Sequence, residues 1–137
     1  MAAYNKFQSF VGELGKGTHQ LHALGHTLKC MLTDELPLAA DDTTADFVEI
    51  AAGNGYAAGG EDAQNDYSEA AGTGTLTCVD ITWTAGPAAM AQFRYVVLYN
   101  SSAANKLVAW FDYGAEVNLN VGETFKTDFG ASTCTIA

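Results

Sequence analysis

AQFRYVVLYNSSAANKLVAWFDYGAEVNLNVGETFKTDF, residues Ala91 to Phe129, holds three runs of alternating apolar residues with short turn-like breaks between them. Ala91, Phe93, Tyr95, Val97 and Tyr99 share one face of the first run. Leu107, Ala109, Phe111 and Tyr113 share one face of the second, and Phe125 and Phe129 bracket the third. A period of two belongs to strands, so the stretch predicts antiparallel strands of a β-sandwich, each with one side against a core. Asn100, Ser101 and Ser102 make a polar hairpin tip, Gly114 is expected to end the second strand, and Gly122 turns the chain before Glu123 to Phe129.

The same alternation extends outward. Leu28, Cys30 and Leu32 face one way and Thr27, Lys29 and Met31 the other, until Pro37 closes that strand. Thr75, Thr77, Val79, Ile81 and Trp83 alternate through Thr84, then Ala85, Gly86 and Pro87 turn the chain, and Thr133 to Ile136 supplies a last strand. The total is about seven strands at sandwich-like spacing. At the start of the chain the period changes. Tyr4, Phe7, Phe10, Val11 and Leu14 recur every three or four residues, which predicts a short amphipathic helix ended by Gly15 and Gly17, a helical arm over residues 1–17.

Length and composition bound the class. With 137 residues, 48% hydrophobic and 16% charged, the chain is expected to be a single all-β domain over residues 1–137. No apolar run approaches the roughly 20 residues of a membrane-spanning helix, and Met1 to Lys6 does not open a signal peptide, so synthesis in a cytoplasm is expected.

Sixteen acidic residues against six basic give a net charge of −10, and no basic patch is present to hold a nucleic-acid backbone. Between Lys29 and Arg94 there is no cation, while Asp34, Glu35, Asp41, Asp42, Asp46, Glu49, Glu61, Asp62, Asp66, Glu69 and Asp80 all fall there. This acidic middle reads either as a solvated face or as a docking surface for a basic partner. Much of it, Ala39 to Gly74, is an irregular acidic loop region. Thr44 is a candidate cap for a short turn holding Phe47, Val48 and Ile50, and glycines 53, 55, 59 and 60 mark turns or close backbone approach.

Candidate chemistry is sparse. His19, His22 and His26 cluster, but Gly17 and Gly25 interrupt any helix that would align them, and no carboxylate motif lies among them. They are read as a link segment or a pH-sensitive contact rather than a metal site. GNGYAAGG at 53–60 lacks phosphate-loop spacing, Ser101 and Ser102 lack a nucleophile elbow, and neither Asp41–Asp42 nor Glu61–Asp62 follows a calcium-loop pattern. No catalytic residue, metal site or cofactor is therefore expected. Cys30, Cys78 and Cys134 lie in strand-like runs without CxxC spacing and read as unpaired buried side chains. Trp83, Trp110 and the six tyrosines allow a sugar-stacking platform, and with it a carbohydrate-binding module, although core packing is the simpler role.

The run Gln92 to Asn100 (QFRYVVLYN), with His26–Thr33 (HTLKCMLT), Glu49–Gly60 (EIAAGNGYAAGG), Asp80–Ala85 (DITWTA), Trp110–Tyr113 (WFDY) and Val121–Phe129 (VGETFKTDF), resembles small tailed-phage virion proteins encoded near capsid genes. The resemblance implies a capsid decoration, or cement, protein with a β-sandwich or jelly-roll core. Such a protein binds the major capsid protein on the outside of the head as a symmetric oligomer and contacts neither nucleic acid nor membrane. On that reading Asp41, Asp42, Glu61 and Asp62 are expected to dock on a basic strip of the shell. The apolar face of Tyr4, Phe7, Phe10 and Leu14 would add a hydrophobic contact to the shell or within the oligomer.

Overall fold

The computed structural model describes residues 2–136. Met1 and Ala137, the outer ends of the expected arm and of the expected single domain, lie outside the described residues. The protein is mostly β with antiparallel sheets and one short helix near the N-terminus. Among the described residues the strands are β1 (Ala3–Lys6), β2 (Leu28–Thr33), β3 (Glu61–Asp62), β4 (Asp66–Ala70), β5 (Thr73–Thr77), β6 (Thr82–Thr84), β7 (Phe93–Asn100), β8 (Lys106–Val117), β9 (Thr124–Lys126) and β10 (Cys134–Ile136), with helix α1 (Gln8–Gly15) between β1 and β2. They form a five-stranded sheet β1-β8-β7-β2-β3, a three-stranded sheet β10-β5-β4 and a ribbon β6-β9.

The Ala91–Phe129 stretch does build the centre of the fold, as the β7–β8 hairpin. It differs from the expectation in one important respect: β7 is buried on both faces. Val96 and Leu98 enter a large cluster with Leu28, Cys30 and Leu32 of β2, whereas Tyr95, Val97 and Tyr99 enter a second cluster with Phe7, Met31, Phe47, Leu107 and Trp110. Side chains from all three sheets meet in the larger cluster, among them Leu76 of β5, Trp83 of β6 and Cys134 of β10.

Two irregularities overturn the expected face assignments. Leu98 pairs with Ala109 but Tyr99 pairs with Leu107, so Val108 is an extra residue that sends Leu107 to the face opposite Ala109 and Phe111. Between Phe93 and Tyr95 the partner strand jumps from Val117 to Asp112, which puts Phe93 on the Val96 face. Each bulge inverts the alternation beyond it; Gly114 lies inside the second and marks it in the sequence, whereas nothing in the sequence marks the one at Val108. Gly114 does not end β8. It takes φ +82° within the continuous strand.

Other expected elements change at their ends. The Thr75–Thr84 run is not one strand. β5 and β6 belong to different sheets, and the buried side chains shift phase from Leu76 and Cys78 to Ile81 and Trp83, leaving Val79 half exposed. The expected helical arm is strand up to Lys6. β1 pairs with Ala109 to Asp112 of β8, satisfying backbone groups that would otherwise lie along an open edge. α1 is poor in intrinsic helix signals: Phe7 gives no side-chain cap, and two of its eight residues, Gly12 and Gly15, are glycines. It is held instead by burial of Phe10 and by Leu14 packing on the larger cluster.

Candidate docking surface

Residues 34–60 join β2 to β3 with little regular structure, and carboxylates supply the acceptors that a ladder would otherwise provide. Glu35 Oε2 accepts the Val48 N–H at 2.8 Å, and Asp41 Oδ2 accepts that of Leu38 at 2.8 Å. Asp46 Oδ2 accepts from Asp42 and Thr43 at 2.8 and 3.0 Å, capping the 3-10 turn Thr44–Asp46, and these two N–H groups hold its carboxyl below the usual range. Glu49 Oε1 accepts both the Tyr56 hydroxyl and the Gly59 N–H at 2.5 Å. Asp34 receives Gln92 Nε2, Asp42 pairs with Lys106, Asp62 receives the Gln64 N–H, Asp66 those of Ala23 and Tyr67, Glu69 that of Gly72, and Asp80 that of Phe129.

Of the carboxylates between Lys29 and Arg94, Glu61 alone accepts no side-chain hydrogen bond among the described residues. The acidic middle is therefore structural punctuation as well as charge. Much of the cationic charge is spent internally too: Lys106, Arg94, Lys126 and Lys16 each lie within 4.0 Å of a carboxylate, leaving Lys6 and Lys29 as the basic side chains with no such neighbour among the described residues.

The expected contact residues do not form one face. Tyr4 stands 40% exposed on the edge strand β1, with its ring 5.8 Å from that of Phe111. Phe7 and Phe10, by contrast, are buried in the two different core clusters, and Leu14 packs against the larger one. The apolar face of the N-terminal segment is turned inward. Only Tyr4, Val11 and Leu14 remain at the surface, lining with Ile136 a groove of about 260 Å³. The carboxylates are divided as well. Glu61 and Asp62 are on β3 at one edge of the five-stranded sheet. Asp41 and Asp42 lie beyond the start of β8, where the Asp42 carbonyl accepts the Leu107 N–H, so β2, β7 and β8 separate the two pairs.

A different patch emerges from the same loop. Thr33 bridges Glu49, and its Oγ1 donates to the Val48 carbonyl, which lays Val48 beside Asp34–Leu36. Leu36 and Val48 are 56% and 70% exposed there, and Leu38, 59% exposed, follows Pro37 on the same loop, with Asp34, Glu35 and Asp41 flanking them in the chain. Phe47, immediately before Val48, is buried and anchors the strip to the second core. In the sequence Val48 stands with Phe47 and Ile50, and Leu36 and Leu38 belong to no periodic run. Two leucines flanking Pro37 inside an acidic segment were the available signal.

The remaining candidates resolve into structural roles. Trp83 and Trp110 are both buried, one in each cluster, so neither indole offers a face for a sugar ring. His19 and His26 converge on Asn100, and among the described residues no group of three His, Cys, Asp or Glu is arranged to hold a metal ion. No helix among them is long and apolar enough to cross a membrane. Gly55 and Gly60 take positive φ and lie against the backbone of Thr84 and of Cys30 in the same chain.

The three cysteines are free and buried. Burial raises all three thiols, that of Cys78 to about 11. A thiol reagent at pH 8 should therefore find no reactive cysteine in the folded protein and three after denaturation; prompt labelling without denaturant would contradict this. A scan against protein-family models and searches of curated proteins and solved structures found no match to this chain.

Proposed function

We propose that this protein is a structural component of a tailed-phage virion, a decoration protein that binds the outer surface of the head and stabilises the shell without catalysing a reaction. The observation that carries the proposal is the exposure of Leu36, Leu38 and Val48 on one acidic loop. Exposed apolar side chains sit there on a loop pinned by the Thr33, Glu35 and Asp41 hydrogen bonds and bordered by uncompensated negative charge. Such a surface suits a partner that presents apolar side chains among basic ones: charge speeds and orients encounter, and buried apolar area holds the complex. The resemblance noted in the sequence makes that partner the major capsid protein, met by a symmetric oligomer on the virion exterior. The same reading takes the fold as a β-sandwich, supported by three antiparallel sheets that share a core, and the jelly-roll connectivity belongs to this proposal too.

Purified virions of the phage that carries the gene should contain the protein on their heads, and empty shells should pull it down by sedimentation. Replacing Leu36, Leu38 and Val48 together by serine should weaken that binding by about tenfold or more while leaving the melting temperature nearly unchanged, because these side chains are exposed. Salt at about 1 M, where screening extends about 3 Å, should slow association more than it speeds release. Absence of the protein from virions would sink the proposal; full binding by the triple variant would remove this loop as its contact. The alternative, a carbohydrate-binding module, would have to use tyrosines such as the exposed Tyr4, because both tryptophans are buried; a glycan array tests it.

A further inference from the structure

The loop 18–27 connects α1 to β2 and carries His19, His22 and His26. Asn100, the last residue of β7, lies fully buried beneath it. Asn100 Nδ2 is 3.0 Å from His19 Nδ1 and 3.0 Å from His26 Nδ1, while Asn100 Oδ1 accepts the Ser102 N–H at 3.0 Å. An amide nitrogen carries two hydrogens and accepts nothing, so both ring atoms must be acceptors. Turning the amide over would set its NH2 group against the Ser102 N–H, which fixes the orientation. His19 is thus neutral with its proton on Nε2, and His26 takes the amide at Nδ1. The Gln20 N–H lies 3.4 Å from the same His26 atom.

We propose that His19, Asn100 and His26 form an acid-operated latch. Protonation of His19 at Nδ1 removes the acceptor that Asn100 needs and frees the start of the loop from the β7–β8 hairpin and from Phe10. The charged ring would place an N–H against an amide N–H at hydrogen-bond distance. Its Nε2 is already buried without a partner, and its ring lies 5.3 Å from that of Phe10, so an imidazolium here is both unpaired and desolvated. Opening is local. Asn65, which does not titrate, keeps the carbonyls of Leu21 and His26 through Nδ2 and the Leu28 N–H through Oδ1.

The charged and titratable groups around the latch do not rescue the cation. Glu13 of α1 favours the charged ring but is already bonded to Thr18 and Lys16, while Lys106 of β8 and His26 oppose it. Burial is the largest influence and holds the His19 imidazole below its ordinary range. On the remaining sides, His22 and Tyr67 line a hollow with His19, Asp62 lines one with His26, and Asp66 accepts the Ala23 N–H. A histidine whose native form is neutral gives stability that is fully present above the unfolded value of about 6.5 and is lost as pH falls below it.

Urea unfolding between pH 8 and pH 5 tests the latch. The folded-to-unfolded ratio should fall about tenfold or more, with about 30-fold as the ceiling for one histidine kept wholly neutral in the native state. His19→Asn, whose amide oxygen supplies a non-titrating acceptor close to the place of Nδ1, should lose most of that fall, and His22→Asn should keep it. Nitrogen-15 correlation spectra of the unaltered protein give a second reading that needs no variant: His19 should be the Nε2–H tautomer at pH 7.5 and titrate below about 6.5. An Nδ1–H tautomer, titration at or above that value, or an unchanged pH slope in His19→Asn overturns the proposal.

Discussion

Phe7→Ala should remove about 3–5 kcal/mol of stability, a large share of the 5–15 kcal/mol that holds a domain of this size together. Phe7 is fully buried, its ring centroid lies 4.6 Å from that of Trp110, and its neighbours in the second cluster come from β2, β7, β8 and the 34–60 loop. Truncation leaves a cavity in the smaller of the two cores, where there are few side chains to relax into it. The backbone around Phe7 is engaged as well: its N–H donates to the Val108 carbonyl, and the next residue, Gln8, donates to Ala39. The N-terminal segment is thus part of the core of the chain rather than a detachable arm. Deleting residues 1–17 should yield insoluble or unfolded protein, and the point variant should show a lower urea midpoint with an unchanged slope. A folded, cooperative deletion protein would show that β1 and α1 are appended to the core and not built into it.

Gly60→Ala should be at least as damaging. Gly60 takes φ +75°, which disfavours any side chain by about 1–2 kcal/mol. A Cβ built there also lies 1.8 Å from the Cys30 carbonyl oxygen and 2.6 Å from its carbon. That obstruction is the backbone of β2, which is paired on one side with β7 and on the other with β3. Relief requires moving the central sheet or losing β3, so we expect more than about 3 kcal/mol lost, or no soluble protein. Gly130→Ala isolates the conformational part. Its φ is +65° and nothing lies within 4 Å of a built Cβ, so that variant should lose about 1–2 kcal/mol. Equal midpoints for the two variants would mean that the approach of Gly60 to β2 does not matter.

Both predictions concern residues that the sequence marked for other reasons. Phe7 was legible as apolar and periodic, but its period of three and four suggested a helix face shared with Tyr4 and Phe10. In the fold, Tyr4 is on a strand, Phe7 is at the strand–helix junction, and Phe10 is on the helix, so the three side chains part company. What intervened is the edge of β8, whose unpaired backbone groups draw residues 3–6 into a ladder. Gly60 was legible as a point of turn geometry or close approach, and only the fold names what it approaches. The candidate docking surface was the least legible feature. Val48 is brought beside Asp34–Leu36 by bonds to Thr33 and Glu35, more than ten residues earlier in the chain, a meeting that no local pattern announces.

By itself, then, the sequence determined the β character, the β7–β8 hairpin, the facing of Leu28, Cys30 and Leu32, the unpaired buried cysteines and the negative charge. Each of these follows from local alternation, turn residues or composition, which need no knowledge of the rest of the chain. Tertiary structure alone decided that β7 has a core on both sides, that bulges at Val108 and opposite Arg94 invert the faces of the hairpin, and that the acidic residues serve as backbone acceptors. It also brought His19 and His26 to one buried amide. All of these depend on which segments meet: a bulge exists only relative to a partner strand, and an acceptor is assigned only when a donor from elsewhere arrives.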